Sequence, residues 1–487
     1  MNRKTNLLLG GIAAAFGIYV ILRAWLIPIT VDENSTAISH VPRSAIDTLF
    51  YNFDATPNNH ILHTLLVKVL TEVFGWHPFI FRIPAMLGAF VYAWAGLLIS
   101  RQISSQLWVR MFAFILLLGQ PFMLEFFSLA RGYSLGLGLM LAAIWQAWRF
   151  LKESRSESLL PAVIFAGLAV YANFTQMVFF VPFVALLLFC SWQASTSISS
   201  FWQNSKAAIF TLGILGGLWY TPLKRLSQHS EVQNGRAIDS FFESIRLSIQ
   251  AATHGNAYLG PETDIWLSWL AVIFTLGIFA VAIWRSALVQ GRFAADPRLF
   301  LIALFAGVLM TNILQVQLTH TPYLQPRFAL HYWPLFALSL GTAAAWMWEH
   351  AKRWTWVFMV PILTLLLLNI VQNTNLRRTS EWWHDEFTYL VFDVLKKAQQ
   401  AEGHPEPFSL DSHWLLQNSF VYHVERDPRG YNHVAKLAPW HEVRPATRQH
   451  EFYYALNQED ANPILDSYEV VLRVPNNSMM LLRRKEK

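Results

Sequence analysis

The segment LLLGGIAAAFGIYVILRAWLIPITVDE, residues 7–33, decides the architecture of this chain. Residues 7–29 are almost entirely apolar, and a helix needs about 20 such residues to cross a bilayer. The run has no small-residue cleavage site and leads directly into Asp32 and Glu33. It therefore predicts an uncleaved membrane span rather than a signal peptide, with two carboxylates at its far end.

The composition of the whole chain agrees with a membrane protein. Of 487 residues, 54% are hydrophobic and 14% are charged, whereas soluble domains carry about 25% charged residues. A soluble core cannot hide so much apolar surface, and the composition also excludes disorder, a coiled coil and a disulfide scaffold. The single cysteine, Cys190, rules out a disulfide framework or a cysteine metal site.

Further apolar runs predict an α-helical polytopic membrane protein with about eleven transmembrane helices. After the first run, the candidate spans are 79–100, 108–127, 129–150, 159–174, 177–193, 207–223, 264–285, 298–318, 328–348 and 354–371.

Charge bias predicts the orientation of these spans. Arg3 and Lys4 place the N-terminus in the cytoplasm under the positive-inside rule, and alternation then assigns the short basic loops to the same side. The net charge of +6 therefore reflects this sorting and does not indicate nucleic-acid binding. The expected location is a plasma (inner) membrane, with the N-terminus cytoplasmic and the active site and C-terminal domain on the outer, periplasmic side.

Two domains follow from this topology. Residues 1–371 form the transmembrane domain, with a first outer loop at 32–78 and a second large outer loop at 224–263. Residues 372–487 are predicted to be a small soluble α/β domain, because they contain an amphipathic stretch at 386–400 and a strand-like stretch at 468–474. Its histidines are too widely spaced for a zinc motif and are interpreted as surface polarity: His384, His404, His413, His423, His433, His441 and His450.

The first outer loop is the most informative part of the chain. After Asp32 and Glu33 it contains Asp54, and then His60 and His63. The two histidines are three residues apart and share a face of an amphipathic helix predicted over 60–74, lying along the membrane interface. Taken singly, the carboxylates also fit an ordinary polar stop after a span, and the histidines fit plain interfacial polarity.

A second set of polar residues falls among apolar ones in other segments. A charged side chain in such a place costs at least about 2.5 kcal/mol unless it is paired or hydrated. The simpler alternatives are that Glu125 and Arg131 pair with each other, and that Arg82 and Arg327 snorkel to the interface among aromatic residues. The predicted outer-face set comprises Arg82, Glu125, Arg131, Tyr133, Tyr323, Arg327 and His331.

Acids, histidines and arginines on one side of a membrane suit a reaction between a lipid that carries an anionic group and a hydroxyl acceptor. A carboxylate accepts the hydroxyl proton, while arginine or histidine side chains hold the phosphate. No Walker loop or dinucleotide fingerprint is present in the sequence.

The motifs, taken in order, resemble the GT-C glycosyltransferase superfamily, in particular the protein O-mannosyltransferases and the bacterial lipid A aminoarabinose transferases. The resemblance rests on the Asp32-Glu33 pair after the first span, the element Phe53-Asp54-x-x-Pro57, Phe81-Arg82-Ile-Pro84, and the turn Ala130-Arg131-Gly-Tyr133-Ser. It covers roughly residues 1–200, and the remainder in architecture. Pro57 is followed by Asn58 where the mannosyltransferases carry a second proline.

The resemblance implies an inverting transfer of a sugar from an undecaprenyl-phosphate-type donor to an acceptor on the outer face, with no cofactor and no metal. Asp32 would be the base, with Glu33 and Asp54 in the catalytic group. Arg131 and Arg327 would hold the donor phosphate. His60, His63, Tyr133, Tyr323 and His331 are assigned to the same donor site, and Arg82 and Glu125 to its support. The expected partners are the lipid-linked sugar, membrane lipids and an acceptor glycan, lipid or protein, without nucleic acid.

Two other functional classes stay open at this stage. A multi-span transporter or flippase would show broken spans in matching halves and charges near the bilayer midplane, and the sequence shows neither pattern. A different outer-face enzyme, such as a phosphoethanolamine transferase or an acyltransferase, is the third possibility. The first of these needs a large metal-binding domain, for which a tail of this size leaves no room.

Overall fold

The computed structural model describes residues 3–53, 58–153, 155–228, 238–255, 260–427, 429–439, 448–474 and 478–485, with side chains from residue 6 onward. Within these ranges the chain is mainly helical up to residue 373 and mixed thereafter. The longer helices are Arg3–Leu26, Ile61–Phe74, Pro78–Ile103, Leu107–Leu118, Gly132–Glu153, Leu159–Ala172, Met177–Ala194, Ile198–Ser227, Phe241–Ala252, Thr263–Leu288, Arg298–Thr319, Tyr332–His350 and Lys352–Asn373.

Seven helices in the described ranges are long and apolar enough to cross a membrane. They are Asn6–Leu26, Pro78–Ile103, Gly132–Glu153, Phe174–Ala194, Thr263–Leu288, Arg298–Thr319 and Lys352–Asn373. Two more apolar helices, Leu107–Leu118 and Ser156–Ala172, are shorter. A membrane-spanning helical protein is therefore confirmed, whereas the count of about eleven spans is not.

One predicted span was wrong in its form. The run 108–127 is divided into the helix Leu107–Leu118 and the short helix Pro121–Phe126. Pro121 lacks a backbone N–H and begins the second helix, and the Gln120 side chain accepts a hydrogen bond from the Met123 N–H at 2.5 Å. A proline at the first helical position with a side-chain cap before it starts a new helix, a local signal that the apolar average conceals.

The chain forms two compact units. The first comprises Met1–Ile21, Ala45–His63 and Pro84–Thr374, and the second comprises Leu22–Ser44, Thr64–Ile83 and Asn375–Lys487. The second unit thus adds to the tail two segments that the sequence analysis assigned to the transmembrane domain. The boundary at 371/372 stays a prediction.

In the first unit, the helices Pro78–Ile103 and Gly132–Glu153 approach each other at the level of their backbones. A Cβ atom added to Gly88 would lie 2.5 Å from the Leu135 backbone, and one added to Gly138 would lie 2.2 Å from the Gly88 carbonyl oxygen. The Ser134 hydroxyl donates to the Ala85 carbonyl at 2.6 Å across the same crossing. Close crossings at small residues are typical of membrane helices.

The described residues of the tail form five strands: β1 (Phe408–Ser412), β2 (Ala435–Leu437), β3 (Phe452–Ala455), β4 (Tyr468–Arg473) and β5 (Met480–Arg484). They make one sheet in the order β2-β1-β3-β5-β4. Strand β1 is parallel to β2 and β3, while β5 is antiparallel to β3 and β4. The helices Thr388–Glu402 and Trp414–Glu425 pack on the sheet through Phe392 and Phe420. The predicted α/β character of the tail is confirmed, including the strand at 468.

Candidate active site

The two carboxylates after the first helix lie on a capped turn in the second unit. Asp32 and Glu33 belong to the short helix Val31–Ser35, and both are buried. The Thr30 side chain accepts a hydrogen bond from the Glu33 N–H at 3.4 Å, and the Glu33 carboxylate accepts one from the Thr30 N–H at 3.0 Å. This reciprocal capping box fixes the direction in which the helix leaves the preceding chain.

Arg82 anchors this turn. Its Nε donates to Glu33 Oε1 at 2.8 Å and its Nη2 to Glu33 Oε2 at 2.7 Å. Its remaining N–H groups donate at 2.8 Å to the carbonyl oxygens of Ala24, Ile27 and Pro28. The arginine is 1% exposed, so its interpretation as a snorkelling interfacial residue was wrong. The guanidinium has five N–H donors, and all five donate to Glu33 or to the backbone at the end of the first helix.

The two carboxylates therefore have different environments. Glu33 is 1% exposed and forms a bidentate ion pair with Arg82, whereas Asp32 is 9% exposed. Both oxygens of Glu33 accept hydrogen bonds from the Arg82 guanidinium, so Glu33 holds the turn in place.

A third carboxylate near this turn, Asp385 in the tail, was not predicted from the sequence. Its Oδ2 accepts the Val31 N–H at 2.8 Å and its Oδ1 accepts the Ser419 hydroxyl at 2.5 Å. The pKa of Asp385 is raised to about 8, chiefly by burial; the hydrogen bonds from Ser419 and Val31 act against this rise, and the negative charges of Glu33 and Asp32 add to it. The sequence shows only an acidic residue within the aromatic segment 382–387, and nothing in it relates that segment to residue 31.

Two tail histidines were also misjudged. His384 is 3% exposed and His423 is 0% exposed, so their interpretation as surface polarity was wrong. Nε2 of His384 lies 3.7 Å from Asp385 Oδ2, and burial lowers the pKa of this imidazole to about 4, although the Asp32 charge acts in the opposite direction. His423 forms a 2.8 Å contact with Asp427 through Nδ1. Spacing along the chain could not reveal this, because helix packing in the tail decides the burial.

In the first unit, Arg131 is hydrogen-bonded to Asn58, shortly before the helix Ile61–Phe74. Its Nη1 donates to the Asn58 carbonyl at 3.1 Å, and its Nη2 donates to the Asn58 side-chain oxygen at 3.0 Å. The turn is tight, because a Cβ atom added to Gly132 would lie 1.8 Å from the Ala172 carbonyl oxygen and 2.8 Å from the His60 Cβ. This glycine therefore allows Arg131 to reach Asn58.

Aromatic contacts join the predicted histidines to the same turn. The ring of His60 meets that of Tyr133 edge-on at 5.0 Å, and Phe126 contacts Tyr133 at 4.9 Å. The predicted helix is present as Ile61–Phe74, and His60 and His63 are both buried. Burial disfavours their interpretation as plain interfacial polarity.

The other predicted residues of the first unit have local partners. Glu125 is buried, with its Oε1 3.7 Å from Nε2 of His254. Arg327 lies 5.1 Å from the ring centroid of Phe328, and the ring of His331 contacts that of Tyr332 at 4.8 Å. The ring of Tyr323 contacts that of Phe241 at 5.9 Å. Asp54 lies outside the described residues.

Arg225 is a further residue that sequence reasoning missed. Its Nη1 donates to the carbonyl oxygens of Phe50 and Tyr51 at 3.0 and 2.5 Å and to the Asn52 side chain at 2.7 Å. It thereby holds the segment that precedes Asp54. Across the described ranges, no group of three or more His, Cys, Asp or Glu side chains is arranged to hold a metal ion, and a metal-free site stays a prediction.

Comparison with solved structures identifies the fold. ArnT from Cupriavidus metallidurans bound to undecaprenyl phosphate matches with a TM-score of 0.51 and 12% identity, covering 99% of this chain and 98% of that one. The apo form of the same protein matches with a TM-score of 0.53 at the same identity and coverage. The chain has the ArnT fold. The predicted GT-C resemblance is thereby confirmed at the level of fold.

An oligosaccharyltransferase from Archaeoglobus fulgidus, in complex with zinc and sulfate, matches with a TM-score of 0.44 and 12% identity, covering 97% of this chain and 72% of that one. No protein-family model matches this chain, and no curated protein is similar to it in sequence. The relation to ArnT is therefore visible in the fold.

Proposed function

We propose that this chain is an inverting glycosyltransferase that moves a sugar from a polyprenyl-phosphate donor to an acceptor hydroxyl on the outer face of the membrane. The observation that carries the proposal is Asp32, held on a capped and buried turn at the end of the first span of an ArnT-like fold. The solved ArnT bound to undecaprenyl phosphate supports a polyprenyl phosphate as the donor lipid.

The proposed reaction is a single displacement. The acceptor oxygen attacks the anomeric carbon as its proton passes to the Asp32 carboxylate, and the bond from the anomeric carbon to the phosphate oxygen breaks. The polyprenyl phosphate leaves with the bonding electron pair. Because the departing phosphate is already anionic and is stabilised by cations, one base is sufficient and no general acid is required.

The roles of the remaining residues follow from their chemistry and from the resemblance. Arg131 and Arg327 hold the donor phosphate, since a guanidinium matches a phosphate with parallel N–H donors. Glu33 and Arg82 keep Asp32 in place. Asp54 completes the catalytic group, and His60, His63, Tyr133, Tyr323 and His331 shape the donor site, with Glu125 in support.

The test is sugar transfer by the purified protein from synthetic undecaprenyl-phosphate sugars (a pentose, a hexose and an amino sugar) to candidate acceptors. The release of undecaprenyl phosphate measures the turnover. Asp32→Asn should lower turnover about 100-fold or more, while the exposed Asp466→Asn should retain it. Equal turnover in Asp32→Asn and the unmodified protein would remove Asp32 as the base. Absence of release from every donor would refute the proposed function.

A further inference from the structure

The short turn Trp383–Asp385 in the tail is named the tail turn. Within the second unit it contacts the helix that carries Asp32. The Asp385 side chain accepts the N–H of Val31, the residue immediately before Asp32, at 2.8 Å. The first N–H groups of a helix have no partner within the helix, and here a buried carboxyl group supplies one of these partners. The Ser419 hydroxyl, at 2.5 Å, fixes the other oxygen of the same group.

His384 on the tail turn has the features of a residue that awaits a ligand. It is 3% exposed, and neither of its ring nitrogens has a hydrogen-bond partner among the described residues. A buried polar nitrogen without a partner is costly, so natural proteins rarely retain one without a reason. The pKa of this imidazole is lowered to about 4 by burial, which leaves it neutral near pH 7.

A neutral imidazole suits a hydroxyl group better than a phosphate. It can donate through one nitrogen and accept through the other, but it brings no positive charge to an anion. The Asp32 charge acts on His384, and in the proposed reaction Asp32 accepts the proton of the acceptor hydroxyl. The substrate group that comes to Asp32 is therefore the group for which His384 is suited.

We infer that the tail turn completes the site around Asp32, with Asp385 as a positioning residue for the helix Val31–Ser35 and His384 as a hydrogen-bonding partner of the acceptor hydroxyl. The inference rests on the proposed function, and it assigns to the tail a direct part in recognition of the acceptor. It concerns residues 31–35, 383–385 and 419 alone, all of which belong to the second unit.

Two variants test the positioning role of Asp385. In Asp385→Ala the Val31 N–H loses its partner, so we expect kcat to fall about tenfold or more with donor KM unchanged, and hydrogen exchange of residues 30–36 to speed up about tenfold. In Asp385→Asn the side-chain oxygen still accepts the N–H, so kcat and exchange should stay near those of the unmodified protein. Asp466→Asn is the exposed control.

Two further variants test the role of His384. Phe at this position offers no hydrogen bond, so His384→Phe should raise the acceptor KM about three- to tenfold with donor KM unchanged. His384→Gln restores a donor and an acceptor and should recover most of this loss. The exposed His433→Gln should change neither constant.

Each half of the inference has its own contrary outcome. Unchanged exchange at residues 30–36 in Asp385→Ala would overturn the positioning role, and an unchanged acceptor KM, or a raised donor KM alone, in His384→Phe would overturn the acceptor contact. Failure of the proposed function is distinguishable, since the unmodified protein would then transfer no sugar. The exchange measurement on the resting protein would still decide the positioning role.

Discussion

At the residue scale, Arg82 is a buried charge in the second unit whose hydrogen-bonding capacity is fully used. All five of its N–H donors are used, two on Glu33 and three on the backbone at the end of the first helix. Removal of one partner from a buried ion pair leaves an uncompensated charge, a larger loss than replacement of both partners. Arg82 and Glu33 should therefore behave as a coupled pair.

We expect Arg82→Gln and Glu33→Gln each to lower the free energy of unfolding by about 3–5 kcal/mol. The double variant should lose less than the sum of the two, because neither charge is then left alone. Denaturant unfolding in detergent would measure the cycle, with the exposed Arg377→Gln as a control. Strict additivity of the two losses would contradict the coupling.

Asp385 should give stability a distinct pH dependence. Its pKa is about 8 in the folded chain, against about 3.9 for an ordinary aspartate. Between these values the unfolded chain releases a proton that the folded chain keeps, so the free energy of unfolding falls as pH rises from about 4 to about 8 and levels above it. The groups that face this carboxyl are Asp32, Glu33, His384 and Tyr454.

The measurement is thermal unfolding of the unmodified protein and Asp385→Asn at pH 5, 6, 7 and 8. The amide does not titrate, so the variant should gain stability relative to the unmodified protein with each step upward. The exposed Asp466→Asn should run parallel to the unmodified protein. A constant gap between Asp385→Asn and the unmodified protein across the four pH values would contradict the raised pKa.

At the element scale, the crossing of Pro78–Ile103 with Gly132–Glu153 depends on Gly88 and Gly138. A methyl group at either position would overlap backbone atoms of the opposite helix, which cannot move aside as a flexible side chain can. Overpacking of this kind costs about 1–3 kcal/mol. This cost exceeds the gain of up to about 1 kcal/mol that alanine brings to a helix interior.

Gly88→Ala and Gly138→Ala should therefore lower stability, whereas Gly277→Ala should not. Gly277 lies in the helix Thr263–Leu288 with nothing within 4 Å of an added Cβ atom, which makes it a matched control. Thermal unfolding in one detergent would rank the three variants. If Gly277→Ala were the least stable of the three variants, the predicted overlap at Gly88 and Gly138 would be contradicted.

The positions of helices and strands could be predicted from the sequence where a local pattern, such as hydrophobic periodicity, determined them. The helix Ile61–Phe74 and the strand Tyr468–Arg473 lie within a residue or two of their predicted ranges, because periodicity decides both. The division at Gln120 was missed, since an average over an apolar run does not register one proline. The partners of Glu33 and Val31 were beyond prediction, since Arg82 and Asp385 are 49 and 354 residues away.

At the scale of the whole molecule, the orientation in the membrane is still a prediction from charge bias. The only cysteine, Cys190, is buried, so single cysteines introduced at exposed positions can report sidedness with little background. In intact cells, an impermeant maleimide should label His433→Cys in the tail. Arg292→Cys, after the helix Thr263–Leu288, should be labelled only after the membrane is opened. The opposite pattern would reverse the topology and place Asp32 in the cytoplasm.

The second unit is built from three separate segments of the chain, and this decides how hybrids of the protein should be made. The Arg23 guanidinium donates to the carbonyl oxygens of Asn375 and Arg378, and Asn34 donates to that of Asn418, so the tail and residues 22–44 belong to one unit. A chimaera joined only at 374/375 would separate these partners. Exchange with a homologue should instead use five junctions, at 21/22, 44/45, 63/64, 83/84 and 374/375, so that the discontinuous module is exchanged as a whole.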